Sequence, residues 1–170
     1  MRRCFLPGAA ARFAADAALA FARPAQLKPG TLGGRHVRID GVTGYLELER
    51  CELGSGNPAD TDVLLNVTVR VRGFAAEVQA WVLGAEWAQF VSDLRRLERD
   101  RRGRATVEGM SPDEFRMEVF STDPAGHMAL TGTVRRPHVE GFTLALEFGF
   151  AFEPDLLPQI VRDLTALGHA

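Results

Sequence analysis

The side chains that could act as nucleophiles, bases or metal ligands are few in this sequence. It contains two cysteines and four histidines. No serine lies in a Gly-x-Ser-x-Gly turn, which would present its hydroxyl to a substrate, and no histidine stands beside Cys51 to activate its thiol. The histidines, among them His127 and His138, show no zinc-binding spacing such as His-Glu-x-x-His. The sequence therefore predicts no catalytic residue, no metal site and no cofactor.

Two further motifs resemble functional sites but are incomplete. Asn57, Asp60 and Asp62 supply oxygens at a spacing close to that of a calcium loop, but the glycine and the distal glutamate of such a loop are missing. Glu47 and Glu49 alternate along one predicted strand, so both lie on one face, as a general acid and a general base would. We interpret the glutamates as part of a solvated acidic face and the oxygen-rich segment as a solvated loop.

The charge balance argues against a direct nucleic-acid partner. The chain carries 20 basic and 22 acidic residues, a net charge of −2, whereas proteins that bind phosphates usually carry a basic surplus. The basic run RRLERDRRGR lacks the interleaved aromatic residues that stack on bases. No run of about 18 apolar residues occurs, so no membrane span or membrane partner is expected. Two cysteines without a Cys-x-x-Cys motif fit a cytoplasmic location best, with one disulfide between them as the alternative.

The clearest structural signal is a β-hairpin between residues 63 and 82. Apolar and polar residues alternate on both sides of Gly73-Phe74, which is typical of two half-buried strands. A two-residue turn at Gly73-Phe74 fits type II′ geometry and predicts Val69 opposite Val78. A one-residue shift of this register would place apolar side chains of one strand beside polar side chains of the other. The same register predicts two pairs on the polar face, Arg70 with Glu77 and Asn66 with Trp81.

The remaining periodicities predict an α+β domain. Residues 85–101 have helical apolar spacing, and a last helix follows Asp155. Residues 142–152 place six large apolar side chains on one strand face, which favours a central position in a sheet. Because short turns between strands imply antiparallel pairing, we expect a two-layer fold. It has a mostly antiparallel sheet of about six to eight strands and two helices packed on one face.

The first 34 residues differ in composition from the rest, with ten alanines followed by prolines and glycines. We expect residues 1–34 to be a flexible or weakly helical extension and linker, and residues 35–170 to form a single α+β domain. A targeting segment or a membrane-surface helix is the alternative for the extension, because its start is basic and its middle is rich in alanine. A misassigned start codon would also produce such a segment.

The polar strand face is the predicted binding surface. Two helices that cover one face of the sheet leave the opposite face open to solvent or to a partner. Trp81 falls on this polar face, and tryptophan is enriched at binding hot spots; packing at a sheet edge or under the N-terminal segment is the alternative. The predicted partner-binding residues are Asn66, Arg70, Arg72, Glu77, Gln79 and Trp81, with Glu47 and Glu49 nearby.

The order of these elements resembles the WapI-like immunity proteins and their uncharacterised bacterial relatives. The resemblance runs over residues 63–167 and leaves out the alanine-rich start. Its matching features, in chain order, are the strand LLNVTVRV, the GF turn, a second strand, the helix AEWAQFVSDLRRL, the segments ATVEG, FRMEVF and GHMALTGTV, the phenylalanine-rich strand and the helix DLLPQIVRDLTAL.

The resemblance implies a small cytoplasmic bacterial protein without enzyme activity or cofactor, which neutralises a toxin domain, often a nuclease, by binding it. It transfers no functional residues, because the family offers no motif for toxin contact that maps onto this chain. An acidic surface would suit a basic partner. The residues leave two alternatives open: a small-ligand domain with a pocket lined by Phe148, Phe150 and Phe152, and an enzyme. They do not indicate an oligomeric state.

Overall fold

A computed structural model describes residues 36–51, 61–111, 113–137 and 141–169 of the chain. The predicted extension at 1–34, Asn57 and Asp60 of the oxygen-rich loop, and His138 lie outside the described residues. The elements are β1 His36–Asp40, β2 Gly44–Arg50, β3 Val63–Val71, β4 Phe74–Val82, α1 Gly84–Asp100, β5 Arg104–Glu108, β6 Phe115–Ser121, β7 Met128–Pro137, β8 Thr143–Phe152, a 3-10 turn Pro154–Leu156 and α2 Leu157–His169.

The eight strands form two antiparallel meanders of four. Sheet A has the order β1-β2-β3-β4 and sheet B the order β5-β6-β7-β8. The period-two alternation of the sequence determines which side chains of a strand are buried. In β3, every second side chain from Val63 to Val69 is buried, and the intervening ones lie on the outer face. The predicted α+β class, antiparallel pairing and strand number are confirmed. Hydrogen bonding divides the strands into two sheets of four.

The two halves of the fold repeat one another, each being a meander followed by a helix. Helix α1 packs on β5, α2 packs on β1, and the helices pack on each other, so each helix contacts the first strand of the other half. The helix segments FVSDLRRL (90–97) and IVRDLTAL (160–167) share Val, Asp and two Leu at the same positions. The buried positions also coincide. The described chain is therefore built from two interlocked copies of one motif, which consists of four strands followed by a helix.

Two backbone hydrogen bonds join the sheets at equivalent corners. The Val42 amide, in the β1–β2 turn, donates to the Ala151 carbonyl of β8 at 3.1 Å. The Met110 amide, in the β5–β6 connection, donates to the Trp81 carbonyl of β4 at 2.7 Å. Each half thus presents its first turn to the last strand of the other half.

The hydrophobic core is continuous between the sheets and helices. It includes the predicted helical stripe of α1 and that of α2 from Leu157 to Leu167, which are confirmed as buried. Leu156, also predicted on the α2 stripe, is exposed in the 3-10 turn. The prediction that residues 142–152 form a central strand is wrong, because β8 is the last strand of sheet B. Phe148, Phe150 and Phe152 are buried because this part of the inner face of β8 packs towards the other half, where β8 contacts β3. Phe142 and Leu144, which were predicted on the same face, are exposed. Face-to-face packing therefore accounts for the second half of the apolar pattern.

The predicted hairpin register is wrong by two residues. The turn residues are Arg72 and Gly73, with φ of 48° and 89°, and two positive φ values are the signature of a type I′ turn. Val69 pairs with Ala76 instead of Val78. Because the shift is an even number, every side chain keeps its predicted face. The corrected pairs on the polar face are Asn66 with Gln79, Leu64 with Trp81, Thr68 with Glu77 and Arg70 with Ala75.

Candidate partner-binding face

The outer face of sheet A gathers the side chains predicted to bind a partner. All of them lie on this face except Arg72, which lies in the turn at its end. The face is polar and largely exposed. From β1 to β4 its rows are His36–Glu49–Asn66–Gln79, Arg38–Glu47–Thr68–Glu77 and Asp40–Tyr45–Arg70–Ala75.

One end of this face is apolar. Leu64 and Trp81 form a cross-strand pair, and both are half-buried. Cys51 extends the row, since its amide donates to the Leu64 carbonyl at 2.9 Å. Met110 belongs to the other half of the fold, and its backbone amide donates a hydrogen bond to the Trp81 carbonyl. The Met110 side chain is exposed. We call Leu64, Trp81 and Met110 the Trp81 cluster.

The sequence reasoning missed two members of the Trp81 cluster. Leu64 carried a usable signal, because it is an apolar residue on the otherwise polar face of an alternating strand. Met110 carried none, because it reaches β4 only through a contact between residues far apart in the chain.

Carboxylates occupy the middle of the face. Arg38 donates from Nη1 to Glu47 Oε1 at 2.9 Å and from Nε to Asp40 Oδ1 at 2.8 Å, and its guanidinium lies 3.7 Å from the centre of the Tyr45 ring. Desolvation opposes the charge on Arg38, but the hydrogen bonds that it donates to Asp40 and Glu47, with the charges of these carboxylates, outweigh it and raise its pKa. Glu47 is therefore paired with a permanent cation, while Glu49 and Glu77 remain exposed.

Side-chain amides connect the carboxylates to the Trp81 cluster. Gln79 donates from Nε2 to Asn66 Oδ1 at 3.0 Å, an exposed contact across β3 and β4. Both amides retain hydrogen-bonding capacity on this side of the sheet. The face therefore combines an apolar end, amide groups and exposed carboxylates, with Arg70 and Arg72 exposed at the far end.

Cys51 lies at the rim of the Trp81 cluster and forms no disulfide within the described residues. Burial raises its pKa, and the charge of Glu49 raises it further, against a smaller opposing effect of a backbone hydrogen bond at Asn66. A raised pKa keeps the sulfur protonated at neutral pH, which is the opposite of what a nucleophilic cysteine requires. The geometry therefore suits Cys51 to packing.

The outer face of sheet B is organised differently. Glu118 lies 3.0 Å from Arg104 and 3.7 Å from Arg116, and Arg116 lies 3.4 Å from Glu108. These charges pair with one another within the sheet. Phe120 is half-buried on the same face and provides a comparison for Trp81.

The histidine with a well-defined carboxylate partner is His127. Its Nδ1 lies 2.5 Å from Asp123 Oδ2, and Asp123 Oδ1 also accepts from the backbone amides of Ala125 and His127. These contacts fold the β6–β7 loop. In the described ranges, no group of three or more His, Cys, Asp or Glu side chains is arranged to hold a metal ion.

Comparison with known proteins identifies the family. No curated protein matches the chain. The model of the WapI-like immunity protein family matches residues 33–169, which include all eight described strands and both helices. No helix in the described ranges is both long enough and apolar enough to cross a membrane. On the family match, the chain belongs to the WapI-like immunity protein family.

Proposed function

We propose that this protein is a non-catalytic immunity protein that neutralises a bacterial toxin domain in the cytoplasm by binding it with the outer face of sheet A. The observation that carries the choice of face is the Trp81 cluster, an apolar anchor set in a polar and exposed sheet surface. Family membership supports the immunity role.

The composition of the face supports this assignment. Hot spots in protein interfaces are enriched in tryptophan and are surrounded by polar contacts that exclude water. Leu64 lies opposite Trp81 on β3 and the Met110 backbone is hydrogen-bonded to the Trp81 carbonyl, while Asn66 and Gln79 form the adjoining polar row. Exposed Glu49 and Glu77 favour a partner with basic groups, because opposite charges accelerate encounter and fix orientation. A nuclease domain, which is basic where it binds nucleic acid, is the partner class that we propose.

The direct test is Trp81→Ala, assayed against the toxin domain encoded by a neighbouring gene. Loss of a hot-spot tryptophan costs about 2 kcal/mol or more, so we expect the Kd to rise roughly thirtyfold. Isothermal titration calorimetry measures the Kd, and co-expression measures protection of growth. Phe120→Ala is the matched control, since Phe120 is a half-buried aromatic on the outer face of sheet B.

The Phe120→Ala variant should bind as the wild type does, and thermal melts should show both variants folded. If the wild type forms no complex and gives no protection, the immunity role is wrong. If Trp81→Ala binds as tightly as the wild type, the role stands but the face is wrong.

In the part of the chain that the structure describes, no observation favours the small-ligand alternative. Phe148, Phe150 and Phe152, which were expected to line its pocket, are buried members of the continuous core. The cluster to which they belong includes apolar residues of both halves of the fold.

A further inference from the structure

Strand β8 has one side without a neighbouring strand among the described residues. In an antiparallel strand, alternate residues direct both their N–H and C=O groups to the same side. The Ala151 carbonyl points away from β7, because it accepts the hydrogen bond from the Val42 amide. Ala145, Glu147 and Gly149 alternate with Ala151, so their backbone groups point away from β7 as well.

A second hydrogen bond fixes the same orientation independently. The Arg135 amide of β7 donates to the Glu114 carbonyl at 2.8 Å, towards β6. Arg135 therefore directs its backbone groups to β6 and forms a non-hydrogen-bonded pair with Ala145 of β8. The backbone N–H and C=O groups of Ala145 consequently point away from β7. Within the described ranges, the outward backbone groups of Ala145, Glu147 and Gly149 make no backbone hydrogen bond. All three residues are exposed, and because Gly149 lacks a side chain its exposure is that of its backbone.

Exposed apolar side chains lie at both ends of this edge. Phe142 and Leu144 at its start are 70% and 62% exposed, and Val42, in the turn that bonds Ala151, is 79% exposed. Edge strands are usually protected by charged residues, proline or bulges. Between residues 143 and 151 the outward-facing positions of β8 carry one charge, Glu147. Unpaired backbone groups flanked by apolar side chains are typical of an edge that accepts a strand.

We propose that β8 is a strand-addition site, at which an extended segment of a partner protein pairs with Ala145, Glu147 and Gly149 and enlarges sheet B. The segment carries a cationic residue opposite Glu147 and apolar residues towards its ends, where Phe142, Leu144 and Val42 lie. A second copy of this chain is a poorer occupant, because the symmetric antiparallel register that uses all three residues sets Glu147 against itself. This site is separate from the outer face of sheet A.

The test uses the full chain and a blocked heptapeptide. The peptide has arginine at its centre, valine on each side of it, then threonine, and leucine at both ends. Titration calorimetry should show saturable one-to-one binding. Ala145→Pro removes an outward N–H and is compatible with an edge strand. Loss of one hydrogen bond, with steric interference from the ring, should weaken binding about tenfold. Glu147→Arg should weaken binding of this peptide and strengthen binding of one with a central glutamate.

The equivalent edge of sheet A supplies the matched control. Ala75 is the residue of β4 that is equivalent to Ala145 of β8. Like those of Trp81, its backbone N–H and C=O groups point away from the neighbouring strand β3. Ala75→Pro should leave peptide binding unchanged. The proposal is overturned if the arginine peptide does not bind, if Ala75→Pro and Ala145→Pro weaken binding equally, or if the wild type forms a dimer that Ala145→Pro abolishes. None of these outcomes bears on whether Trp81 contacts the toxin.

Discussion

Asp123 is the residue whose charge has the clearest structural role. Its carboxylate accepts hydrogen bonds from the backbone amides of Ala125 and His127 and contacts the His127 ring. The His127 side-chain hydrogen bond is the largest cause of the lowered pKa of Asp123, and backbone hydrogen bonds from His127 and Ala125 add to it. Such contacts stabilise the ionised form, because a protonated carboxyl accepts these bonds less well.

We expect Asp123→Asn to be less stable than the wild type at neutral pH, with the difference shrinking in acid. A carboxyl whose pKa is lowered by folding stabilises the protein fully above the ordinary value of 3.8. This contribution is lost as pH falls through the lower folded-state pKa. Urea midpoints of both proteins across the acidic range measure it. Asp155→Asn, at an exposed aspartate, is the control for general charge; a difference independent of pH would contradict the prediction.

Among the elements, helix α2 depends on a residue from the other half of the chain. Arg50, at the end of β2, donates from Nη1 to the Leu167 carbonyl at 3.0 Å and to the Gly168 carbonyl at 2.8 Å. The last carbonyls of a helix lack partners within the helix and carry partial negative charge. A cation from β2 therefore caps α2 and ties it to sheet A.

Arg50→Ala should destabilise the protein by about 1–3 kcal/mol, because it removes two charge-assisted hydrogen bonds from a partly buried helix end. Urea denaturation followed by circular dichroism measures the loss. Arg99→Ala, at an exposed position near the end of α1, should change the stability by less than about 0.5 kcal/mol. Equal effects of the two substitutions would show that the cap contributes nothing specific.

At the scale of the whole molecule, two interlocked halves meet at corners that are equivalent but not equally tight. A Cβ built on Gly41 would lie 2.1 Å from Cδ2 of Phe150 and 2.8 Å from the Ala151 carbonyl oxygen. At the matching corner, a Cβ on Gly109 would have its nearest contacts at 3.5 Å, an ordinary van der Waals distance. The first corner thus excludes any side chain, while the second has room for a methyl group.

Gly41→Ala should therefore cost about 1–3 kcal/mol, as overpacking in a well-packed interior does. Gly109→Ala should stay within about 0.5 kcal/mol of the wild type. Urea midpoints of the two variants provide the comparison. If Gly41→Ala is as stable as Gly109→Ala, the contact between the β1–β2 turn and β8 is looser than the geometry indicates.

Several features of this fold could be predicted because they are local. Alternation placed Asn66, Gln79 and Trp81 on one polar face, and helical spacing identified the buried stripes of both helices. The predicted hairpin turn was one residue too late, which shifted the pairing register by two, and the predicted face was still correct because side-chain direction repeats every two residues. The repeated segments FVSDLRRL and IVRDLTAL were also present in the sequence as a signal of two similar halves.

Only the tertiary structure decided which strands lie at edges and what lies beside Trp81. Apolar residues at period two show that β8 has one apolar face, but not that an opposing sheet buries Phe148, Phe150 and Phe152 while Leu144 is exposed. Met110 joins Trp81 through a single backbone hydrogen bond between the two halves. Periodicity reports the environment of a side chain, whereas the identity of its neighbours depends on contacts between distant residues, which no local pattern specifies.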